Sequence, residues 1–316
     1  MGEGVKRLTA FVVLAVLAGA LFPLATSART FHTVLQDDDL SLFSTQALPQ
    51  YMKELRWLGV DELRISAEWK LEAPAPNSTH IPRAFRADAP SAYTAQGMRL
   101  LDAAVRAAAG AGLHVIVDPA FSAPLWATNG ANALPGSRDP WYNENIDVRQ
   151  AAAWEQMLAR RYSGAFTPAG ERNRLPRVDT FTLWNEPNEL SSLKPQWRGG
   201  IPVSADWYRQ LVTLAYSAIK AASPSATVLI GNTSDSGADA QAQRGGVAPL
   251  AFLRRLACVD ARLQPVHDGS CAHFQTVSAD GYAHHPYERD ALPWVPSGPQ
   301  QTDWAQMGDL ARMQAL

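Results

Sequence analysis

The stretch that decides the fold is residues 181–189, Phe-Thr-Leu-Trp-Asn-Glu-Pro-Asn-Glu. A short apolar run, typical of a buried strand, reaches Trp184 and is followed at once by an amide, a carboxylate and a proline. Pro187 ends the strand and restricts the backbone of the turn. The sequence therefore predicts that Glu186 is held at a strand end on stiff backbone.

Two interpretations of Glu186 remain open from these residues. A carboxyl group held against Trp184 and other apolar side chains stays protonated more easily, and it can act as a general acid near neutral pH. Asn185 beside it can hydrogen-bond a substrate hydroxyl. The structural alternative is a glutamate that only accepts backbone N–H groups at a strand-to-helix turn.

Short apolar runs alternate with amphipathic stretches along the rest of the chain. Candidate strands are 30–36, 62–67, 113–118, 178–184, 227–231 and 278–284, and candidate helices are 45–58, 94–111, 148–162, 205–222, 250–257 and 302–316. Strand-then-helix units in a row predict a single-domain α/β fold with a parallel sheet. An open doubly wound sheet and a closed (β/α)₈ barrel both fit, and both place sites at the carboxyl ends of strands.

Trp184-Asn185-Glu186-Pro187 resembles the strand 4 motif of clan A glycoside hydrolases, which include families 5 and 39. The motif follows the fourth predicted strand, which is its position in that clan. The resemblance implies a TIM (β/α)₈-type barrel and a retaining O-glycosyl hydrolase. It also implies that Glu186 is the general acid/base and that Asn185 binds the sugar 2-hydroxyl.

Two further segments resemble the same group. Residues 63–66, Leu-Arg-Ile-Ser, resemble strand 2, whose arginine supports the nucleophile; Arg64 in an apolar strand also needs a buried anionic partner. Residues 281–287, Gly-Tyr-Ala-His-His-Pro-Tyr, resemble strand 6 of family 5, which implies that His285 lines a sugar subsite and that Tyr287 touches the nucleophile. Zinc is a competing use of His284 and His285, but adjacent histidines on a strand point to opposite faces. We expect no metal and no cofactor.

Aromatic and acidic residues follow other predicted strands. Trp69, Trp126 and Trp294 could stack on sugar faces or pack loops. The run 37–39 is expected to be a solvated turn. Asp118 ends the third strand, where family 5 often places a histidine, and this departure weakens a family 5 assignment more than the clan assignment.

A retaining mechanism needs two carboxylates roughly 5–5.5 Å apart. In this clan the nucleophile follows strand 7, whereas the sequence predicts only about six βα units. We therefore expect an incomplete, C-terminally truncated barrel that lacks the nucleophile, with poor solubility and weak or absent activity. The alternative is a non-catalytic carbohydrate-binding protein or inactive fragment. An α/β-hydrolase is disfavoured because no Gly-x-Ser-x-Gly elbow is found.

The N-terminus predicts export. Lys6 and Arg7, the apolar run 8–24 and small residues at 25–28 indicate a signal peptide over 1–28, a mature domain over 29–316 and a secreted protein; an uncleaved anchor is the alternative. In an oxidising compartment a disulfide between Cys258 and Cys271 is favoured over two thiols.

The charge composition limits the classes of binding partner. The net charge of −2, from 28 basic and 30 acidic residues, gives no footprint for nucleic acid or an anionic membrane. We expect a carbohydrate partner, no nucleic acid, and no membrane once the signal is removed. Residues 77–79 and 232–234 match the N-glycosylation sequon.

Overall fold

The computed structural model describes residues 31–43, 47–120, 122–128, 143–238, 245–288 and 292–316. Residues 34–316 form one unit, and residues up to 33 form another. The predicted signal peptide, 1–28, lies outside the described residues. Within the described ranges, no helix is long and apolar enough to cross a membrane.

Six parallel strands make a single sheet in which each strand pairs with the next along the chain. They are β1 (Val34–Gln36), β2 (Glu62–Glu68), β3 (His114–Ala120), β4 (Thr180–Thr182), β5 (Thr227–Thr233) and β6 (Gly281–His284). Among the described residues, β1 and β6 each pair with one strand only. The predicted incomplete TIM-type barrel of six βα units is confirmed.

Helices connect the strands. They are α1 (Asp38–Phe43), α2 (Leu48–Trp57), α3 (Trp69–Glu72), α4 (Ala95–Gly110), α5 (Val148–Arg161), α6 (Val203–Ala222), α7 (Pro249–Leu256) and α8 (Leu310–Gln314). Local capping fixes two of their starts: Thr94 accepts the Gly97 N–H before α4, and Asp147 accepts the Arg149 and Gln150 N–H groups before α5. These caps satisfy backbone N–H groups in the first turn of each helix.

The core beneath the carboxyl ends of the strands is rich in tryptophan. The Trp69 and Trp154 rings are stacked with centroids 5.2 Å apart, and the edge of Trp184 meets Trp154 at 6.5 Å. All three side chains are fully buried. This layer supports the turn that follows β4 from below.

The predicted helix at 302–316 and the predicted turn at 37–39 differ most from the structure. The helix expected over 302–316 is confined to α8, preceded by a 3₁₀ turn at Met307–Asp309, because Gln306 and Asp309 form a capping box that starts the helix late. The solvated turn expected at 37–39 is instead the start of α1, where Asp37 accepts the Leu40 N–H at 3.1 Å and Asp38 accepts the Ser66 N–H at 3.0 Å.

Cys258 and Cys271 form the predicted disulfide, with Cα atoms 5.5 Å apart. The bridge joins the end of α7 to the 3₁₀ turn Gly269–His273. It therefore fixes the connection between β5 and β6.

Candidate active site

The backbone that carries Glu186 is hydrogen-bonded on both sides. The Asn185 N–H donates to Pro119 O at 2.9 Å, at the end of β3, and the Glu186 N–H donates to Asn232 O at 3.0 Å, near the end of β5. Trp184 and Glu186 take left-handed conformations, with φ of 52° and 46°. Non-glycine residues adopt this region rarely, so the contacts to β3 and β5 hold an unusual turn in place.

The turn after Glu186 is locked to the loop that follows β5. The buried Asn188 side chain donates to Ser234 Oγ and to Val247 O, both at 2.9 Å, and accepts the Ser234 N–H at 2.9 Å. A short polar side chain thus bonds three groups of neighbouring loops. The carboxylate of Glu186 is presented from a fixed support.

Arg64 on β2 has the buried anionic partner that its position requires. Its Nη2 lies 2.7 Å from Asp118 Oδ2, in a pair whose side chains are 12% and 0% exposed. The same nitrogen donates to Asn185 Oδ1 at 2.8 Å, and Nη1 donates to Gln36 at the end of β1. Because Arg64 occupies the oxygen of Asn185, the amide nitrogen of Asn185 remains to donate to a ligand.

Asn232 is a residue that sequence reasoning did not assign to the site. The β5–β6 register shifts between Gly231 and Thr233, which leaves Asn232 as the extra residue of a bulge, with φ of 51°. Its Nδ2 donates to Asp118 Oδ1 at 2.6 Å and to Trp184 O at 3.1 Å. The bulge therefore aims the amide into the polar network at the strand ends.

The same position carries one of the two glycosylation sequons. Asn232 is only 1% exposed and its side chain is bonded, so the sequon at 232–234 cannot accept a glycan in this fold. Asn77, the other sequon residue, is exposed. The only signal for Asn232 in the sequence is an asparagine after Gly231 at a predicted strand end.

The two adjacent histidines face different partners. His285 Nδ1 lies 2.7 Å from Glu186 Oε1, and its Nε2 lies 3.0 Å from Asn232 Oδ1. His284 instead contacts Thr233 Oγ1 at 2.8 Å and Ala305 O at 2.5 Å. Burial lowers the pKa of His284, because it disfavours the charged imidazolium. In the part of the chain that the structure describes, no group of three potential ligands could hold a metal ion.

The Glu186 carboxylate contacts His285 rather than a backbone amide. Its side chain is 22% exposed, and the Trp184 ring, expected beside it, packs instead between Trp154 and Trp207 in the core. The immediate surroundings of the carboxylate are consequently polar, and the imidazole is its direct partner.

A cleft of about 530 Å³ adjoins Glu186. Among the described residues its lining contains no lysine or arginine; it comprises Glu186, Glu189, Ser191, Ser234, Asp235, Ser236, Gly237, Ala238, Gly245, Gly246, Tyr287 and Trp304. Carboxylates, hydroxyls and two aromatic rings in an open groove are suited to a polyhydroxylated ligand.

The aromatic residues that were expected to contact a sugar lie partly in the core and partly at the surface. Trp69 is fully buried and stacked on Trp154, so the expectation that it contacts a sugar is wrong. Trp126 is half-buried, meets the edge of Trp69 at 5.8 Å and donates to Pro74 O at 3.1 Å. Tyr287 is 61% exposed and lines the cleft, and Trp294 is 72% exposed. Of the predicted aromatic residues, Tyr287 is the one that lines the cleft.

Two carboxyl groups are buried behind the strand ends. Burial raises the pKa of Glu72 to about 8, although the Trp154 indole N–H donates to it at 2.9 Å. Burial also raises the pKa of Glu155 on α5 well above its usual range. Glu72 is therefore neutral over much of the acidic and neutral range.

Comparison with known proteins gives structural similarity only. No protein-family model matches the sequence, and no curated protein matches it. Among solved structures, one match is GH5_18 from Streptomyces cattleya in complex with GlcNAc, at 19% identity and a TM-score of 0.43, covering 66% of this chain and 46% of that one.

Two further matches are glycosidases. A family 39 glycoside hydrolase from Bacteroides cellulosilyticus WH2 is 16% identical, with a TM-score of 0.36 and coverage of 63% and 31%. The β-glycosidase from the hyperthermophile Thermosphaera aggregans is 14% identical, with a TM-score of 0.41 and coverage of 61% and 44%. This chain spans less than half the length of each of these three proteins.

Proposed function

We propose that this chain forms part of a retaining O-glycosyl hydrolase in which Glu186 is the general acid/base. The observation that carries the proposal is the position of its carboxylate, which is held after β4 between the ends of β3 and β5 and opens on a cleft of about 530 Å³. A general acid must be fixed within reach of the bond it protonates, and this support provides such fixation.

The neighbouring groups have complementary roles in this proposal. Asn185, held by Arg64, donates its amide N–H to a sugar hydroxyl. Tyr287 offers a ring on the open side of the cleft. Glu186 protonates the glycosidic oxygen as the bond to the anomeric carbon breaks, and it later takes a proton from the attacking water.

We propose that the nucleophile lies on a further strand beside β6. The described edge of β6 is unpaired on one side, and a strand there would end next to His285 and Tyr287. Within the described cleft, Glu189 and Asp235 are the other carboxylates. Glu189 accepts a hydrogen bond from Ser234 Oγ at 2.6 Å, which suits a residue that shapes the cleft wall.

A non-catalytic carbohydrate-binding protein is the second candidate. The exposed Tyr287 and the polar cleft would serve binding as well as hydrolysis. The buried ion pair, the oriented amide and the left-handed turn at Glu186 favour hydrolysis, because binding alone requires no fixed carboxyl acid.

Azide provides the test, because a small anion can take the place of a missing carboxylate nucleophile. The purified chain is incubated with a panel of phenyl α- and β-glycosides, whose weakly acidic phenol needs protonation as it leaves, with and without sodium azide. We expect turnover only with azide: azide attacks the anomeric carbon, the glycosidic bond breaks, and the leaving oxygen takes the proton of Glu186. Glu186→Gln should lower this rate roughly 100-fold or more, the usual contribution of a general acid.

Glu189→Gln is the matched control, since it alters a second cleft glutamate without touching Glu186. It should leave the azide-dependent rate within a few-fold of the original. Turnover without azide that is lost in Glu189→Gln or Asp235→Asn would place the nucleophile inside this chain. Sugar binding by calorimetry, with no turnover under any condition, would favour the binding protein.

A further inference from the structure

The amide of Asn232 has only one orientation that satisfies its neighbours. One end of the amide faces Asp118 Oδ1 at 2.6 Å and Trp184 O at 3.1 Å, which are both acceptors. That end must therefore be the NH₂ group. The oxygen of the amide then points to the other side, where His285 Nε2 lies 3.0 Å away and Arg64 Nη2 lies 3.4 Å away.

This orientation determines which nitrogen of His285 carries a proton. An amide oxygen only accepts, so the 3.0 Å contact requires a proton on Nε2. A neutral imidazole protonated at Nε2 has a bare lone pair at Nδ1. Nδ1 lies 2.7 Å from Glu186 Oε1, and two lone pairs at that distance repel. The contact is favourable only when a proton lies between them.

We propose that Asn232 is a positioning residue that holds a proton on Nε2 of His285, so that the proton shared by Glu186 Oε1 and His285 Nδ1 is a second one that Glu186 can give to a leaving oxygen. This inference rests on the proposed function of Glu186 and adds a reason why that carboxyl group acts as the acid. Asp118 acts one step further away, since it holds the amide of Asn232 in place.

The arrangement accounts for both halves of acid/base catalysis. Glu186 donates the proton to the leaving oxygen, and its carboxylate is then left facing the bare Nδ1. This unfavourable pairing is relieved when Glu186 takes a proton from the attacking water, which restores the starting state. Among the described residues, the other charged or titratable groups near the pair are Arg64 and Asp118 behind it, His284 next to it in the chain, and Glu189, Asp235 and Tyr287 in the cleft.

Nitrogen-15 NMR of the histidine-labelled chain measures the tautomer directly and needs no substrate. The signals of His285 are assigned by their loss in His285→Gln. In the unaltered chain and in Glu186→Gln, we expect Nε2 to show the chemical shift of a protonated nitrogen. In Glu186→Gln, the new amide N–H group can donate to Nδ1, so the neutral imidazole should be in the Nε2–H form.

Asn232→Leu removes the acceptor from Nε2, so the proton should move to Nδ1 and be donated to the Glu186 carboxylate. If Asn232→Leu does not fold, the unaltered chain and Glu186→Gln still decide the matter.

A bare Nε2 with a protonated Nδ1 in either of those two chains would overturn the inference. That result would leave the azide experiment untouched, because Glu186 could still act as an acid without a fixed imidazole. If the Nε2–H tautomer is confirmed but no azide-dependent turnover is found, the proposed function of Glu186 is wrong and the tautomer assignment stands.

Discussion

Two regions at the carboxyl ends of the strands differ in burial. We call the network of Arg64, Asp118 and Asn232 the inner side, and the exposed region of β6 with Tyr287 the outer side. On the inner side, Arg64, Asp118 and Asn232 are linked by an ion pair and hydrogen bonds, and Asp118 and Asn232 are buried. On the outer side, Tyr287 is 61% exposed, and β6 has no second neighbour among the described strands.

The difference separates two tasks within one site. The inner side fixes Asn185 and Glu186 through contacts that need no further chain. On the outer side, Tyr287 lines the cleft and His285 contacts the Glu186 carboxylate. The support of Glu186 thus lies within the described strands β2 to β5, whereas β6 has no second neighbour among them.

The largest expected effect is on the inner ion pair. Asp118→Ala leaves the guanidinium of Arg64 buried without its anion and should destabilise the fold by roughly 3–5 kcal/mol. Chemical denaturation measures this loss. Asp179→Ala is the control, because its pair with Arg177 has side chains 57% and 46% exposed and should contribute less than about 1 kcal/mol. Equal losses of unfolding free energy in Asp118→Ala and Asp179→Ala would show that the buried ion pair stabilises the fold no more than an exposed one.

The next effect concerns pH. The pKa of Glu72 is raised from 4.5 to about 8, so the folded chain binds more protons than the unfolded chain between these values. Stability should be greatest below about pH 4.5 with respect to this group and should fall as the pH rises towards 8, by on the order of 3–5 kcal/mol at most.

Glu72→Gln should flatten this part of the stability profile, measured by urea denaturation at a series of pH values. Glu155→Gln should flatten it in the same direction, because burial also raises the pKa of Glu155. A stability that rises with pH through this range, or a profile that Glu72→Gln leaves unchanged, would show that the carboxyl group of Glu72 is ionised in the folded chain.

The smallest expected effect on stability is at the outer side. Tyr287→Ala removes an exposed ring and should change the free energy of unfolding by less than about 0.5 kcal/mol. The same substitution should weaken glycoside binding several-fold in calorimetry, because the ring lines the cleft. Trp294→Ala, at a ring that is 72% exposed and not among the described lining residues, should leave both quantities unchanged. A stability loss of several kcal/mol in Tyr287→Ala would refute the proposed division.

Much of the fold was predictable because its signals are local. Apolar runs and amphipathic stretches predicted the six strands and most of the long helices, and the motif at 184–187 predicted Glu186 at the end of the fourth strand. The strand ladder nevertheless stops at Thr182 rather than Trp184, since Trp184 and Glu186 adopt left-handed conformations. Periodicity carries no information on such a turn.

The contacts of the site depend on tertiary structure. Asn232 enters the site through a bulge that depends on the pairing of β5 with β6, and nothing in its neighbouring residues reveals that pairing. Trp69 follows a strand like Trp126, but the short helix α3 turns it into the core, where it stacks on Trp154 from a distant helix. Which aromatic residue meets a ligand therefore required the structure.

The central claim is that Glu186 donates a proton to a leaving oxygen. The most direct measurement compares azide-dependent cleavage of phenyl and 2,4-dinitrophenyl glycosides by the original chain and by Glu186→Gln. A weakly acidic phenol needs protonation as it leaves, whereas dinitrophenol does not. We expect Glu186→Gln to slow the phenyl glycoside roughly 100-fold or more and the dinitrophenyl glycoside only a few-fold. Equal slowing of both substrates, or of neither, would contradict the assignment of Glu186 as the acid.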